Sequence, residues 1–341
     1  MHFRSGPERG VRVALALALV TVVPMGAAAQ EPEPAAAPTL IGLEPEPPPT
    51  WRFKKDDKPV KVVVLAGSIG AWPKQPYARE LERLCSNVEV HNLSRVGQGA
   101  LALKQRFKHQ VLQNRRVHAK DPAFEHWLVY GGGLNSVGTP KSTNKHMRDL
   151  FVAAHDHGFR VIGLSLTPWG DLHDRRWRGE EGLEHRRVTQ NVVDFNMGRL
   201  TPEQALGEYG AKRPGGVAAP WDPRELPDIA VDLYDSALRD REAAVGELEA
   251  AKTALAKDKR WKQAHAKLDD AGKAAQLELD AAALAELPRW FLRKELRSFD
   301  HIHPNTDGHR IIAATVCPKL PASWGCTCEP IEATAVEPST P

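Results

Sequence analysis

Four short apolar runs that each stop on small or turn-forming residues limit the folds open to this chain. Val62-Val63-Val64-Leu65 opens into Ala66-Gly67-Ser68-Ile69-Gly70, and Val88-Glu89-Val90-His91-Asn92-Leu93 into Ser94-Arg95-Val96-Gly97-Gln98-Gly99. Trp127-Leu128-Val129-Tyr130 runs into Gly131-Gly132-Gly133-Leu134-Asn135-Ser136, and residues 160–166 into Thr167-Pro168-Trp169-Gly170. Short β-branched runs with this punctuation read as buried parallel strands ending in tight turns. Helical patterns lie between and after them, over 141–157 and 186–200, and Ile229 to Tyr234 reads as a further strand. Strands alternating with helices predict an α/β fold around a parallel sheet. Such folds place their chemistry at the carboxyl ends of the strands.

The residues at those ends are chemically apt. Asp300-His301-Ile302-His303-Pro304 holds an acid three residues before an imidazole. In that spacing the carboxylate can fix the ring tautomer and stabilise the imidazolium formed when the ring takes a proton. Ser68, at the end of the first run, is a candidate nucleophile, since a serine hydroxyl attacks only when a neighbouring base removes its proton. A developing oxyanion needs donors fixed in advance, and the Ser68 N–H, Gly97 N–H and Asn135 side-chain amide are the candidates. Gly99 is an alternative to Gly97. Taken singly, Ser68 reads as a turn residue, Asn135 as an Asx-turn former and Asp300 with His303 as a surface pair at a helix entry. Their joint order, each at an element edge, favours catalysis.

In that order the chain resembles the SGNH hydrolases, the GDSL-like lipases and esterases, over roughly residues 60 to 316. The resemblance implies a nucleophilic Ser68 and an oxyanion hole of Ser68, Gly97 and Asn135. It also implies catalytic Asp300 and His303, with Asn135 standing in the Gly-x-Asn block Gly133-Leu134-Asn135. It further implies a flavodoxin-like three-layer α/β/α sandwich with a central parallel sheet, and no cofactor. Two family positions differ. Gly-Asp-Ser-Leu is here Ala66-Gly67-Ser68-Ile69, and the acid that usually follows the asparagine is Ser136.

Rival motifs are weaker. Ala66-x-Ser68-x-Gly70 approaches the nucleophile elbow of α/β-hydrolases, but Ser68 follows the first strand, before any oxyanion loop. Gly97-x-Gly99-x-x-Ala102 fits a relaxed dinucleotide fingerprint, with Asp121 about twenty residues on, yet no strand precedes Asp121. His301 with His303, or His155 with His157, lack a converging carboxylate or cysteine cluster for a metal, and the second pair reads as a helix end at Gly158.

The remaining composition speaks to location and attachments. Residues 1–29 have the form of a signal peptide: a basic start, an apolar run Val13 to Val23, and Ala27-Ala28-Ala29 before Gln30. Residues 30–57 read as a Pro/Ala/Glu-rich linker, 58–330 as the catalytic domain and 331–341 as a disordered tail. The expected location is periplasmic or secreted, with no stable membrane span after cleavage. At 341 residues, 42% hydrophobic and a net charge of +3, the chain can bury one large core and its charge points to no particular partner, nucleic acid included. Cys85, Cys317, Cys326 and Cys328 predict disulfides, with zinc as the minor alternative and the pairing unread.

Two segments exceed the minimal fold. Residues 170–228, with Trp177 and Trp221 beside Trp169, form either a wall of the substrate cleft or a cover packed on the sheet. Residues 236–287 are rich in Ala, Glu, Lys and Leu. Leu238, Val245, Leu248 and Leu255, then Trp261, Ala264, Leu268, Ala271 and Ala275, predict two antiparallel helices turning near residues 257–259 as a protruding hairpin. That hairpin is a solvated ornament or the site of a protein partner. The expected function is an exported serine esterase acting on an ester-bearing small molecule or an acylated glycan. An O-acyltransferase using the same residues, and a degenerate glycan- or protein-binding domain, are the alternatives.

Overall fold

The computed structural model of the chain describes residues 58–328 and residue 330. The expected signal peptide, the whole linker and the tail lie outside the described residues. Five parallel strands form one sheet: β1 (Val60–Ala66), β2 (Val88–Asn92), β3 (Glu125–Gly131), β4 (Phe159–Leu164) and β5 (Ile229–Val231), in the spatial order β2-β1-β3-β4-β5. The helices are α1 (Tyr77–Leu84), α2 (Ala100–Arg106), α3 (Pro140–Asp156), α4 (Gly179–Asn196) and α5 (Pro202–Leu206). They are followed by α6 (Leu248–Lys257), α7 (Lys259–Ala264), α8 (Asp270–Ala285) and α9 (Thr306–Val316).

The central strands explain the layering. Every residue of β1 is buried, as a strand covered on both faces requires. Because side chains alternate along a strand, Val63 and Leu65 of β1 join Leu128 and Tyr130 of β3 on one face, over Leu103, Met147, Phe151 and Val192 of the helices. Val60, Val62 and Val64 join Trp127 and Val129 on the other face, over Leu81, Ile312 and Val316. The result is the three-layer α/β/α sandwich that the sequence predicted. Strand order reverses between β1 and β3, so a crevice opens at the carboxyl end of β1, where Ser68 lies.

Three local expectations are corrected. The fifth strand stops at Val231 rather than Tyr234, because the Ser165 hydroxyl takes the backbone N–H groups of Leu233 and Tyr234 at 2.8 and 3.1 Å in place of a ladder. The helix expected over 186–200 begins at Gly179 and ends at Asn196. The hairpin has three helices, not two. Asp258 caps α7 by accepting the amides of Arg260 and Trp261, which breaks the chain there, but a second break separates α7 from α8. Leu238 belongs to the main core, and Ala264, Leu268, Ala271 and Ala275 are exposed, so the second apolar stripe does not form. Instead Ala251, Leu255, Trp261 and Ala281 close a small core over Leu183 of α4.

Trp169 and Trp177 are buried in the main core and Trp221 packs against it, so these side chains cover the sheet and leave a cleft wall to other groups. The cysteines pair as Cys85–Cys326 and Cys317–Cys328. These bonds fasten the C-terminal segment to the ends of α1 and α9, with Trp324 buried edge-on against Trp127. No helix among the described residues is long and apolar enough to cross a membrane.

Candidate active site

Ser68 stands on the turn leaving β1. The Gly67 amide makes the last contact toward β3, donating to Gly131 O at 3.4 Å, and Ala71 N–H closes the turn onto Gly67 O at 3.1 Å. Glycine at 70 is required by the packing: a Cβ there would lie 2.5 Å from Ser94 Oγ and 2.6 Å from Ala66 Cβ. The turn is thus pressed onto the segment after β2, and Asn92 secures it by donating to Gly70 O at 2.8 Å.

The last block approaches from the opposite end of the chain. Asp300 Oδ1 accepts the amides of Ile302 and His303, both at 2.8 Å, which fixes the carboxylate against the loop entering α9. Its other oxygen lies 2.8 Å from His303 Nδ1, and His303 Nε2 lies 2.7 Å from Ser68 Oγ. Burial alone would raise the Asp300 carboxyl, but the His303 amide and ring and the Ile302 amide hold it below the ordinary aspartate value. An ionised Asp300 accepts the Nδ1 proton, which leaves Nε2 free to accept the serine O–H. Ser68, His303 and Asp300 are therefore brought together in the structure.

The donor side is assembled from the second and third blocks. Asn135 is exposed, and its amide donates to Gln98 O at 3.2 Å, leaving its second hydrogen for another acceptor. A Cβ on Gly67 would meet that amide at 3.2 Å and Gln98 O at 3.4 Å, so glycine at this altered family position lets the three blocks close up. Gly97 adopts φ +74°, open to solvent, with nothing within 4 Å of a Cβ placed there. Gly99 instead packs on Ser136 and caps α2, its carbonyl accepting the Leu103 amide. Of the two glycines, Gly97 is the open one. Ser136, at the position of the missing acid, accepts the Ala100 amide and donates to Gly133 O, both at 3.2 Å, and so ties the third block to the start of α2.

Of the neighbours, Trp72, Phe299, Asp171, Asp174, Arg176 and Arg297 were not singled out by the sequence. Trp72 and Phe299 stack near the His303 ring, with centroids 6.3 and 5.9 Å away. His309 is fully buried under Trp72, and burial, with His303 nearby, pushes its pKa down to about 4. Beside the triad, Asp174 holds both Arg176 and His301, each at 2.7 Å, while Asp171 faces Arg297 at 3.4 Å. The Gly170 amide donates to His301 O at 2.7 Å, so the loop after β4 is fastened to the residue between Asp300 and Ile302. For Phe299 and His301, which flank Asp300, that adjacency was the available signal. No group of three or more His, Cys, Asp or Glu side chains among the described residues is placed to hold a metal ion.

No family model matches the chain, and no curated protein does. Solved structures do. A GDSL-like lipase from Bacteroides thetaiotaomicron is 13% identical, over 76% of this chain and 88% of its own, with a TM-score of 0.41. A member of the lipolytic G-D-S-L family from Veillonella parvula is 13% identical over 75% and 96%, with a TM-score of 0.39. An SGNH-hydrolase family esterase is 13% identical over 46% and 82%, with a TM-score of 0.32. At this distance the likeness carries neither fold nor role over to this chain, whose α/β/α layering and residue placement rest on its own structure. The four blocks read from the sequence fall on the first three strand ends and the entry to α9, with the serine, histidine and aspartate in one hydrogen-bonded line.

Proposed function

We propose that the chain is a serine esterase that works through an acyl-enzyme. The observation that carries this reading is the unbroken line Asp300–His303–Ser68, at 2.8 and 2.7 Å. As Ser68 Oγ attacks the ester carbonyl, its proton passes to His303 Nε2, and Asp300 stabilises the imidazolium. The carbonyl oxygen takes up the electron pair within reach of the Ser68 and Gly97 amides and the Asn135 side chain. Collapse of the intermediate breaks the bond to the alcohol, whose oxygen receives the proton from Nε2. Water then attacks the acyl carbon while giving a proton to His303 Nε2, and collapse of this second intermediate breaks the bond to Ser68 Oγ, which takes the proton back from Nε2 as the acid leaves. If an alcohol takes the place of water, the same residues perform acyl transfer.

An O-acyl ester, on a small molecule or a glycan, is the substrate class. Two disulfides suit an oxidising compartment, in keeping with a periplasmic or secreted protein. A fluorophosphonate probe tests the reaction: it should label the purified protein and fail on Ser68→Ala. Wild-type protein that neither labels nor hydrolyses a short-chain nitrophenyl ester would overturn the proposal.

A further inference from the structure

Phe299, the residue before Asp300, is 84% exposed. A lone exposed phenylalanine needs no explanation. This one is set among rings near the candidate base: its plane lies 24° from that of His303 and 15° from that of Trp72, at centroid distances of 5.9 and 6.4 Å. Trp72, half-buried, completes the group at 6.3 Å and 22° from His303, and rests on the buried His309 ring at 5.8 Å. Trp72 is therefore a supported floor, and Phe299 the face left open.

The chemistry of the site decides which half of a substrate meets these rings. His303 must return its proton to the leaving oxygen, so that oxygen comes within hydrogen-bond reach of Nε2. The candidate donors for the carbonyl oxygen come from other blocks of the chain, where the Asn135 amide donates to Gln98 O next to Gly67. The group carried by the leaving oxygen thus lies toward the imidazole, beside Phe299 and Trp72. Flat aromatic faces offer dispersion contact to another flat face, and gain far less from a narrow, mobile alkyl chain.

We propose that Phe299, backed by Trp72, is an alcohol-side platform that selects esters whose alcohol carries a ring with a flat C–H or aromatic face over esters of linear alcohols. This rests on the serine-esterase reading. Sugar rings and aryl alcohols share that chemistry, and the test separates them.

The test compares kcat/KM for benzyl acetate, methyl 6-O-acetylglucopyranoside and butyl acetate in wild type, Phe299→Ala and Phe299→Trp. Wild type should prefer at least one ring ester over butyl acetate, and Phe299→Ala should lower that preference by about tenfold, through KM rather than kcat. Phe299→Trp should restore it. The ring ester affected identifies the source, aryl or sugar. The platform is overturned if Phe299→Ala lowers all three esters by one common factor, as a merely disturbed His303 would, or if it moves none. If wild type takes no fluorophosphonate label and cleaves no ester, the esterase reading has failed, and binding decides the platform separately. Saturation-transfer NMR of benzyl alcohol and methyl glucopyranoside with Ser68→Ala protein should then show contact that Phe299→Ala removes. No contact in either protein overturns it.

Discussion

His303 Nε2 lies 2.7 Å from Ser68 Oγ, although 235 residues separate them in the chain. The bond joins the two ends of the domain, and its direction depends on Asp300, which holds the ring by Nδ1. In Asp300→Asn the side-chain amide can present a hydrogen to Nδ1 and favour the wrong tautomer. We expect kcat to fall on the order of 10³- to 10⁴-fold, with KM little changed. Steady-state kinetics on a nitrophenyl ester checks this. The Asp300 carboxyl is held below its ordinary value, so its contribution to stability is present above the unfolded aspartate pKa and is lost as pH falls through the folded one.

Asn135 donates to Gln98 O with one hydrogen and is otherwise exposed, so Asn135→Ala should leave the fold intact. If the second hydrogen meets the oxyanion, kcat should drop about 100- to 1,000-fold, with fluorophosphonate labelling slowed but present. An unchanged kcat, with circular dichroism unchanged, would remove Asn135 from the oxyanion hole.

The parts that sequence revealed, and those it did not, differ in physical kind. Ser68, Gly97 and Asn135 are legible because strand ends force small residues into tight turns, and Asp300 with His303 because a three-residue spacing lets the carboxylate close a turn on the Ile302 and His303 amides. The strands of the central sheet are legible because burial on both faces demands continuous apolar runs. Contacts between distant loops leave no such period. The Asp174–Arg176–His301 cluster depends on how the loop after β4 folds back. Leu233 and Tyr234 look like strand but yield to the Ser165 hydroxyl. The a/d spacing across residues 261–275 is accidental, since the turn between α7 and α8 leaves Trp261 buried but Ala264, Leu268, Ala271 and Ala275 exposed.

The ends of the helical insertion meet, with Gly246 N–H donating to Ala285 O at 2.7 Å. Excising residues 248–284 and joining the ends with a short Gly-Ser link should therefore leave a folded core, provided Leu238 and Leu287, both buried in the main core, are kept. Leu183 loses its cover, so a loss of roughly 2–3 kcal/mol is expected. Urea unfolding should remain one cooperative transition, and a broad or absent transition would make the insertion part of the core.

Cys85 and Cys326 are paired, at a sequence separation of 241, and the segment they close carries the buried Trp324. Cys85→Ala/Cys326→Ala should lower stability by about 2–4 kcal/mol. Denaturation followed by tryptophan fluorescence and by far-UV circular dichroism would measure the loss. If the C-terminal segment detaches first, the fluorescence transition precedes the dichroism one.

His309 gives the fold an acid sensitivity. Its ring is fully buried, Nδ1 accepts the Tyr77 amide at 3.4 Å, and Nε2 has no partner. Burial first, and His303 second, push its pKa down to about 4. Protons are therefore taken up by the unfolded chain before the folded one, and stability that is full above about pH 6.5 declines as pH falls toward 4. At pH 5 the loss from this residue is about 2 kcal/mol relative to pH 7. His309→Phe keeps an aromatic ring under Trp72 and removes the titration. Its urea midpoint should be lower than that of wild type at pH 7, because the Tyr77 amide loses its acceptor, yet should change less between pH 7 and pH 5. An equal shift in both proteins would show that His309 does not govern the acid limb.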